Sequence, residues 1–369
     1  MSPPPIRVCI SVLVYQGRAV IERCLESLAR QSFPEGGIDI HVLDNGSPDG
    51  SWEFLNELQL RHRWPNVALR SNPANVGFAA GHNAVLKSAA GRYDYFILVN
   101  QDTCCAGAET VAGLVQASRG LCDEALVQPL VRDFHGRPVS SGLAVTYTGN
   151  ASPTLQPLPG RPGGPVPIDA AHAVFLLMSR RALETVGFLE ESYFAYHEDV
   201  EYAMRARLSG IGSWCVPDIE VFHEQSPERF RKNKSAQYLM ERNRYRYLLS
   251  YFRWPILLAL VPALVAQEAA FLVWLCLCGN GAAKWRAYKD TFSDWPQIRA
   301  LRMSAQKRLA RSAFRRKFYL SHRAGIGVEK VLGDPGYPLP AKAGAILLEA
   351  FHRLYYVVYR LVIWAEGRP

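Results

Sequence analysis

The sequence predicts an α/β fold, a mostly parallel central sheet with helices on its faces, followed by a helical C-terminal region of different character. Three observations carry this reading. Short apolar runs that suit strands covered on both faces alternate with amphipathic helical patterns through the first 226 residues. Strands separated by helices imply parallel pairing through right-handed crossovers. From Trp254 onward the alternation stops, and long apolar and basic stretches replace it.

The elements follow in order. "IRVCISVLV", Ile6 to Val14, reads as a buried strand, and "AVIERCLESLARQSF" sets Val20, Cys24, Leu25 and Leu28 on one helical face before Pro34 stops it. "IDIHVLDNGSPDGS" repeats the scheme: a strand through Leu43, an acidic, glycine-rich turn from Asp44 to Gly50, then a helix from Trp52 to Leu60. A third strand, loop and helix occupy "NVALRSNPANVGFAAGHNAVLKSAAG". "YFILVNQDT" supplies the fourth strand, whose apolar run ends at Asn100 and Asp102, the carboxyl edge where open α/β sheets bind ligands. "LQPLPGRPGGPVP" marks a long surface loop. Beyond it, "IDAAHAVFLLMSRRALETVGF" reads as a strand and a short helix, "HEDVEYAMRARLSG" as a helix closed by Gly210, and "GSWCVPDIEVFH" as a pair of strands.

At 369 residues and 49% hydrophobic, the chain can bury one catalytic domain plus an appendage. Its 42 basic against 33 acidic side chains, net +9, suit a polyanionic partner: nucleic acid, an anionic membrane surface or a phosphorylated substrate. A nucleic-acid-binding protein would alternate its cations with aromatic platforms across the sheet, whereas here they cluster beside an apolar segment, so no nucleic-acid partner is expected. The eight cysteines include no CxxC and no zinc spacing, which reads as reduced cytosolic thiols. "MSPPPIRV" contains no apolar stretch of the signal-peptide kind, so the bulk of the chain is expected in the cytoplasm.

Residues 254–278 are almost wholly apolar, broken by Pro255, Pro262 and the adjacent Gln267 and Glu268. Basic residues flank the segment on both sides, Arg242, Arg244, Arg246 and Arg253 before it, Lys284, Arg286 and Lys289 after it. A single span would leave one basic flank outside, so a broken helix or shallow hairpin lying on an anionic membrane surface is the expectation. Residues 306–317 are basic, and residues 342–364 place Leu347, Phe351, Leu354, Tyr355, Val358 and Leu361 on one helical face.

Several polar groups could carry chemistry. Asp44, at a strand tip, can accept hydrogen bonds from a nucleobase imide or a ribose hydroxyl, or merely cap a turn. Glu198 and Asp199 enter a helix side by side, where carboxylates commonly complement the helix dipole. His223 ends a strand. No GxGxxG follows the first strand and no GxxxxGK[ST] is present, which disfavours dinucleotide binding and a P-loop.

In order and spacing, "VLVYQ", "VLDNGSPDGS", "NPANVGFAAGHN", "LVNQDT", "VGFLEESYFAYHEDVEYAMRARLSG" and "VFHEQS" resemble the family 2 glycosyltransferases, which have the GT-A fold, and within them the bacterial rhamnosyltransferase-like branch. The resemblance covers about Ile6 to Ser226. It implies a nucleotide-sugar site that includes Val14, Tyr15, Asp44 and Asn75, and further Gly77, Asn83, Asn100 and Asp102. Asp102 matches the acidic position that holds a divalent cation, Mg²⁺ or Mn²⁺, on the sugar-nucleotide diphosphate, with His223 as a further ligand. Asp199 matches the general base, Glu198 would orient or bind the acceptor, and Asp169 and His172 are candidate acceptor contacts. Direct attack with one base inverts the anomeric centre. The implied domains are a catalytic domain over 1–226, a linking helix over 227–253 and a helical membrane-associated region over 254–369. The implied function is metal-dependent, inverting transfer of a sugar, rhamnose first, to a polyprenyl-diphosphate-linked glycan at the cytoplasmic face of the inner membrane, the protein being peripheral or monotopic. A UDP-hexose-dependent transferase and an inactive membrane-associated scaffold are the alternatives.

Overall fold

Four parallel strands form the first half of the sheet in this computed structural model, which describes residues 4–155, 163–224, 233–277, 281–325 and 339–366. They are β1 (Ile6–Val14), β2 (Gly36–Asp44), β3 (Val67–Ser71) and β4 (Tyr95–Asn100), linked by α1 (Ile21–Ala29), α2 (Ser51–His62) and α3 (Phe78–Ala89). The period-two side chains Val8, Ile10 and Val12 are buried with Cys24 and Leu25 of α1, so the two periodicities legible in the sequence meet in one core.

The chain continues through β5 (Thr103–Cys105), α4 (Thr110–Gly120), β6 (Ala125–Arg132), β7 (Pro138–Ser140), β8 (Gly142–Val145), β9 (Ala151–Thr154), β10 (Val166–Ile168) and β11 (Phe175–Ser179). It then forms α5 (Arg180–Val186), a 3₁₀ turn (Glu191–Tyr193), α6 (Glu198–Leu208) and β12 (Gly212–His223). The sheet runs β10-β12-β6-β11-β4-β1-β2-β3. It is mixed: β11 lies antiparallel between β4 and β6, while the long pairing of β6 with β12 is parallel again. "GSWCVPDIEVFH" is one strand rather than the expected pair. Its register against β6 shifts between Val216 and Glu220, where Pro217 has no N–H to give the ladder.

The chain divides into two units, one of residues 1–143 and 153–225, the other of 144–152 and 226–369. The second is helical: α7 (Lys234–Tyr251), α8 (Trp254–Leu277), α9 (Gly281–Ser293), α10 (Trp295–Arg311), α11 (Arg315–Leu320) and α12 (Leu339–Glu366). Where the sequence suggests a broken helix or hairpin, α8 is a single helix with Pro262 inside it. Pro255 stands in its first turn, where a missing N–H breaks no helical bond. Trp254–Leu272 is, among the described residues, the one helix long and apolar enough to cross a membrane by length and composition. α12 packs antiparallel on α8, with the Tyr355 hydroxyl donating to the Ala259 carbonyl at 2.5 Å and the Tyr359 ring stacked on Phe252. Residues 156–162 of the proline-rich loop, residues 225–232 and Cys278 lie outside the described residues.

Glu268 of α8 joins a charge network. Its carboxylate meets Arg244, the Lys284 ammonium at 2.6 Å and the Tyr288 hydroxyl at 2.6 Å, while Glu241 pairs with Arg244 at 3.2 Å and with Lys284. Arg244 and Lys284 are fully buried. Two carboxylates and two cations sum to no charge, and only such pairing makes their burial tolerable.

Candidate active site

The carboxyl ends of β1, β2 and β4 are held in register, Val14 opposite Asp44 and Leu13 opposite Asn100. Asp44 is buried at the end of β2, where Oδ2 accepts from the Ser47 N–H at 3.2 Å and Oδ1 has no partner. A buried carboxylate oxygen with nothing to accept from suits a ligand N–H or O–H. The adjacent Asn45, which sequence reasoning missed, organises the loop before α3. Its Oδ1 accepts from Asn72 Nδ2 at 3.0 Å and the Val76 N–H at 3.2 Å, and its Nδ2 donates to Asn75 Oδ1 at 3.0 Å and the Gly77 carbonyl at 3.2 Å. Gln101 was also missed as a support. Its side-chain amide accepts from the Tyr15 N–H at 2.8 Å and donates to the Tyr15 carbonyl at 2.9 Å, fixing the turn after β1.

Asp102 and His223, 121 positions apart in the sequence, are brought together because β5 pairs antiparallel with the end of β12 and sets Thr103 opposite His223. His223 Nε2 lies 3.1 Å from Asp102 Oδ1, and the buried Nδ1 of His223 has no partner. A carboxylate oxygen and an imidazole nitrogen this close, with no thiolate, form a donor set that fits Mn²⁺ or Mg²⁺. Among the described residues, a group of three donors lies elsewhere, Glu22, Glu26 and His62, where Arg61 already bonds Glu22 at 2.8 Å.

Glu198 and Asp199 open α6 and are both buried. Asp199 accepts from the Ala173 N–H at 3.3 Å and the Val200 N–H at 2.8 Å, whereas Glu198 Oε2 has no partner. Ala173 precedes Val174, whose carbonyl accepts from the Asn100 N–H at 3.0 Å, so the acidic pair stands at the same sheet edge as the end of β4. Burial, and then the Asp199 charge, push Glu198 well above the usual carboxylate range; burial also raises Asp199, against the two N–H groups that stabilise its anion. The two carboxyls are adjacent and buried, so they titrate as a pair. The Tyr196 hydroxyl is raised by burial and by both Glu198 and Asp102, which puts its half-exposed ring in the field of both carboxylates.

The loop leading into this pair is strained. Phe194, Tyr196 and His197 have φ of +65°, +65° and +73°, uncommon for side chains with a Cβ. What holds it is the start of α3: the Phe194 carbonyl accepts from the N–H groups of Phe78 at 2.5 Å and Ala79 at 3.3 Å. Gly77, at φ +90°, permits the contact, since a Cβ there would lie 2.6 Å from the Phe194 oxygen. Asn83 braces the same loop: its amide donates to the Leu189 carbonyl and to Glu191, both at 2.9 Å, and its oxygen accepts from the Leu189 N–H at 3.0 Å. Of the two candidate acceptor contacts, the His172 N–H donates to Gln128 Oε1 at 2.6 Å, and the Asp169 carbonyl accepts from Arg207 at 2.5 Å. The buried Gln128 is a third polar support that the sequence did not announce.

Comparison with known proteins bears on this edge. Residues 9–138 match Glycosyl transferase family 2. The chain is similar to the low-salt glycan biosynthesis hexosyltransferase Agl10 of Haloferax volcanii, at 32% identity over 122 residues, 32% of this chain and 40% of that protein. It is also similar to the N-acetylglucosaminyl-diphospho-decaprenol L-rhamnosyltransferase of Mycobacterium tuberculosis, at 27% identity over 262 residues, 65% of this chain and 83% of that protein. Among solved structures, that of GalNAc-T7 with UDP, GalNAc and Mn²⁺ superposes with a TM-score of 0.57 over 71% of this chain and 51% of that one, at 14% identity, which shows a shared GT-A-like fold.

Proposed function

From a chain whose residues 9–138 are a family 2 glycosyltransferase domain, we propose an enzyme that moves a sugar, L-rhamnose first, from a nucleoside diphosphate to a hydroxyl of a polyprenyl-diphosphate-linked glycan, with inversion. The observation that carries the reading is the convergence at one sheet edge of Asp102 with His223, 3.1 Å apart, and of the buried Glu198–Asp199 pair. The M. tuberculosis relative, a rhamnosyltransferase acting on a decaprenyl diphosphate glycan, supports the choice of sugar and acceptor.

Each group has a role that its surroundings suit. Asp44, with one buried oxygen unpartnered, accepts from the imide N–H of the donor's base. Asn45 and Asn75 hold the neighbouring loop, and the Gln101 clamp holds Tyr15 at the rim. Asp102 and His223 would hold Mg²⁺ or Mn²⁺, which when bound neutralises the negative charge growing on the departing diphosphate. Asp199 takes the proton from the acceptor hydroxyl as its oxygen attacks the anomeric carbon and the bond to the diphosphate breaks. Burial raises its affinity for a proton, and Glu198 beside it, with one buried oxygen unpartnered, is placed to orient or bind the acceptor. A lipid-linked acceptor places the reaction at a membrane surface, which the reading assigns to the cytoplasmic face.

Calorimetry of dTDP, UDP and GDP binding to the full chain, with Mn²⁺ or Mg²⁺ and again with a chelator, tests this. Metal-dependent binding of dTDP supports rhamnose; binding of UDP alone shifts the donor to a UDP-hexose. Binding of none of them removes the transferase reading in favour of a scaffold.

A further inference from the structure

Two helices of the second unit carry exposed apolar stripes. On α12, Leu347, Phe351, Leu354, Val358 and Leu361 recur at spacings of three and four and are 39–76% exposed, whereas Glu349, His352 and Tyr359 on the other side are buried. A helix on a water-facing surface does the reverse. α8 is apolar on both sides: Ile256, Leu257, Leu260 and Ala263 are buried, yet Leu258, Val261 and Val265 are 48–69% exposed, while Gln267 is buried and Glu268 turns to Arg244 and Lys284. α12 packs on α8, with the Tyr355 hydroxyl donating to the Ala259 carbonyl, so both stripes belong to one packed helix pair. An apolar face this extended marks an interaction site.

Charge identifies the occupant. Residues 144–152 and 226–369 contain 25 Lys and Arg against nine Asp and Glu, net +16, while the first unit contains 17 against 24, net −7. The chain's modest +9 thus conceals a strongly basic helical unit. Exposed cations stand on the helices that follow α8, among them Arg286 of α9, Lys307, Arg308 and Arg311 of α10, and Arg316 and Lys317 of α11. A second copy would bring +16 against +16, which opposes association. A membrane span by α8 would carry Glu241, Arg244 and Lys284 of its neighbours into hydrocarbon along with it.

We propose that α8 and α12 lie in the plane of an anionic phospholipid bilayer, with both apolar stripes at the acyl boundary and the flanking cations on lipid phosphates. The proposal builds on the lipid-linked acceptor above and supplies the surface that brings the chain to it. The charge network is what lets α8 take that position, because it removes the one acidic side chain of the helix from the lipid-facing side.

The test is sedimentation of the full chain with vesicles of pure phosphatidylcholine and of equal parts phosphatidylcholine and phosphatidylglycerol. Two double variants, Leu354→Glu with Leu361→Glu and Leu258→Glu with Val265→Glu, accompany the wild type; all four positions are exposed, so the fold tolerates them. Wild type should bind the anionic vesicles, weaken with added salt, and bind phosphatidylcholine poorly; each double variant should lose about tenfold or more in partitioning. Variants that bind like wild type, or a wild type that ignores anionic vesicles, overturn the proposal. So does a wild-type dimer, seen by sedimentation velocity, that the variants convert to monomer. Nucleotide affinity is measured on the same samples: its absence with vesicle binding intact would refute the transferase reading and leave this one standing.

Discussion

Gly77→Ala should cripple the enzyme from outside the reacting groups. Gly77 has φ +90° and ψ 170°, a region that residues with a Cβ scarcely visit, and its new methyl would sit 2.6 Å from the Phe194 oxygen and 2.7 Å from the Phe194 ring. Gly91 is the control, with φ +77° and nothing within 4 Å of its added Cβ. Gly91→Ala should cost only backbone strain, about 1 kcal/mol. Gly77→Ala adds displacement of the Phe194 carbonyl and loss of its bonds from Phe78 and Ala79, about 1 kcal/mol each, for a total near 3 kcal/mol. At about 2–4 °C per kcal/mol for a unit of this size, the Gly77 variant should melt several degrees below the Gly91 variant. The displaced loop runs into Glu198 and Asp199, so transfer to a lipid-diphosphate acceptor should fall by roughly a hundredfold, since a shift of about 1 Å in a reacting group has that effect. If the two variants melt together and transfer at equal rates, the Phe194 contact does not hold the catalytic loop.

Asp102→Asn should weaken nucleotide binding in Mn²⁺ at least tenfold and leave the residual binding insensitive to chelator; calorimetry showing unchanged metal-dependent affinity would take Asp102 out of the metal site. Asp199→Asn should abolish transfer while nucleotide affinity stays within a factor of about two, and a variant that still transfers would refute its role as the base. His82 is fully buried beside Ser11 Oγ at 2.8 Å, and burial depresses its pKa to about 3. Below the unfolded value near 6.5, the unfolded chain binds a proton that the folded one does not, so His82 costs stability as pH falls from 6.5 towards 3, by up to about 1.4 kcal/mol per pH unit. Denaturant titrations at pH 7 and pH 5 should show a smaller loss for His82→Gln than for wild type; equal losses would show that His82 is not the group responsible.

What was legible in the sequence follows from chain-local physics. The strand from Ile6 to Val14 and the helix from Ile21 declare themselves by periodicity, and the apolar run ending at Asn100 marks the sheet edge where the candidate site lies before any contact is known. The Asp102–His223 pair was reachable through family resemblance alone, because nothing local links residues on different strands. Asn45, Gln101 and Gln128 escaped notice because a supporting amide has no characteristic spacing, and its partners are backbone groups brought near only by folding. Of the six residues that periodicity sets on one face of α12, five are exposed while Tyr355 turns to Ala259 of α8, because period alone cannot say which side chains turn inward. The strand pair read into "GSWCVPDIEVFH" failed for another reason: Pro217 signals an interruption in hydrogen bonding, and a bulge interrupts a ladder without ending a strand.

The charge network of α7, α8 and α9 also constrains how this sequence can change. Replacing any one of Glu241, Arg244, Glu268 or Lys284 leaves an odd charge among buried neighbours, at a cost of about 3–5 kcal/mol, whereas removing one acid with one base leaves the remainder balanced. Viable substitutions at these four positions should therefore arrive in pairs of opposite sign, with either single change passing through a poorly folding intermediate. Drift along this part of the chain is correlated by electroneutrality, and the loss of Glu268 would predict the accompanying loss of Arg244 or Lys284.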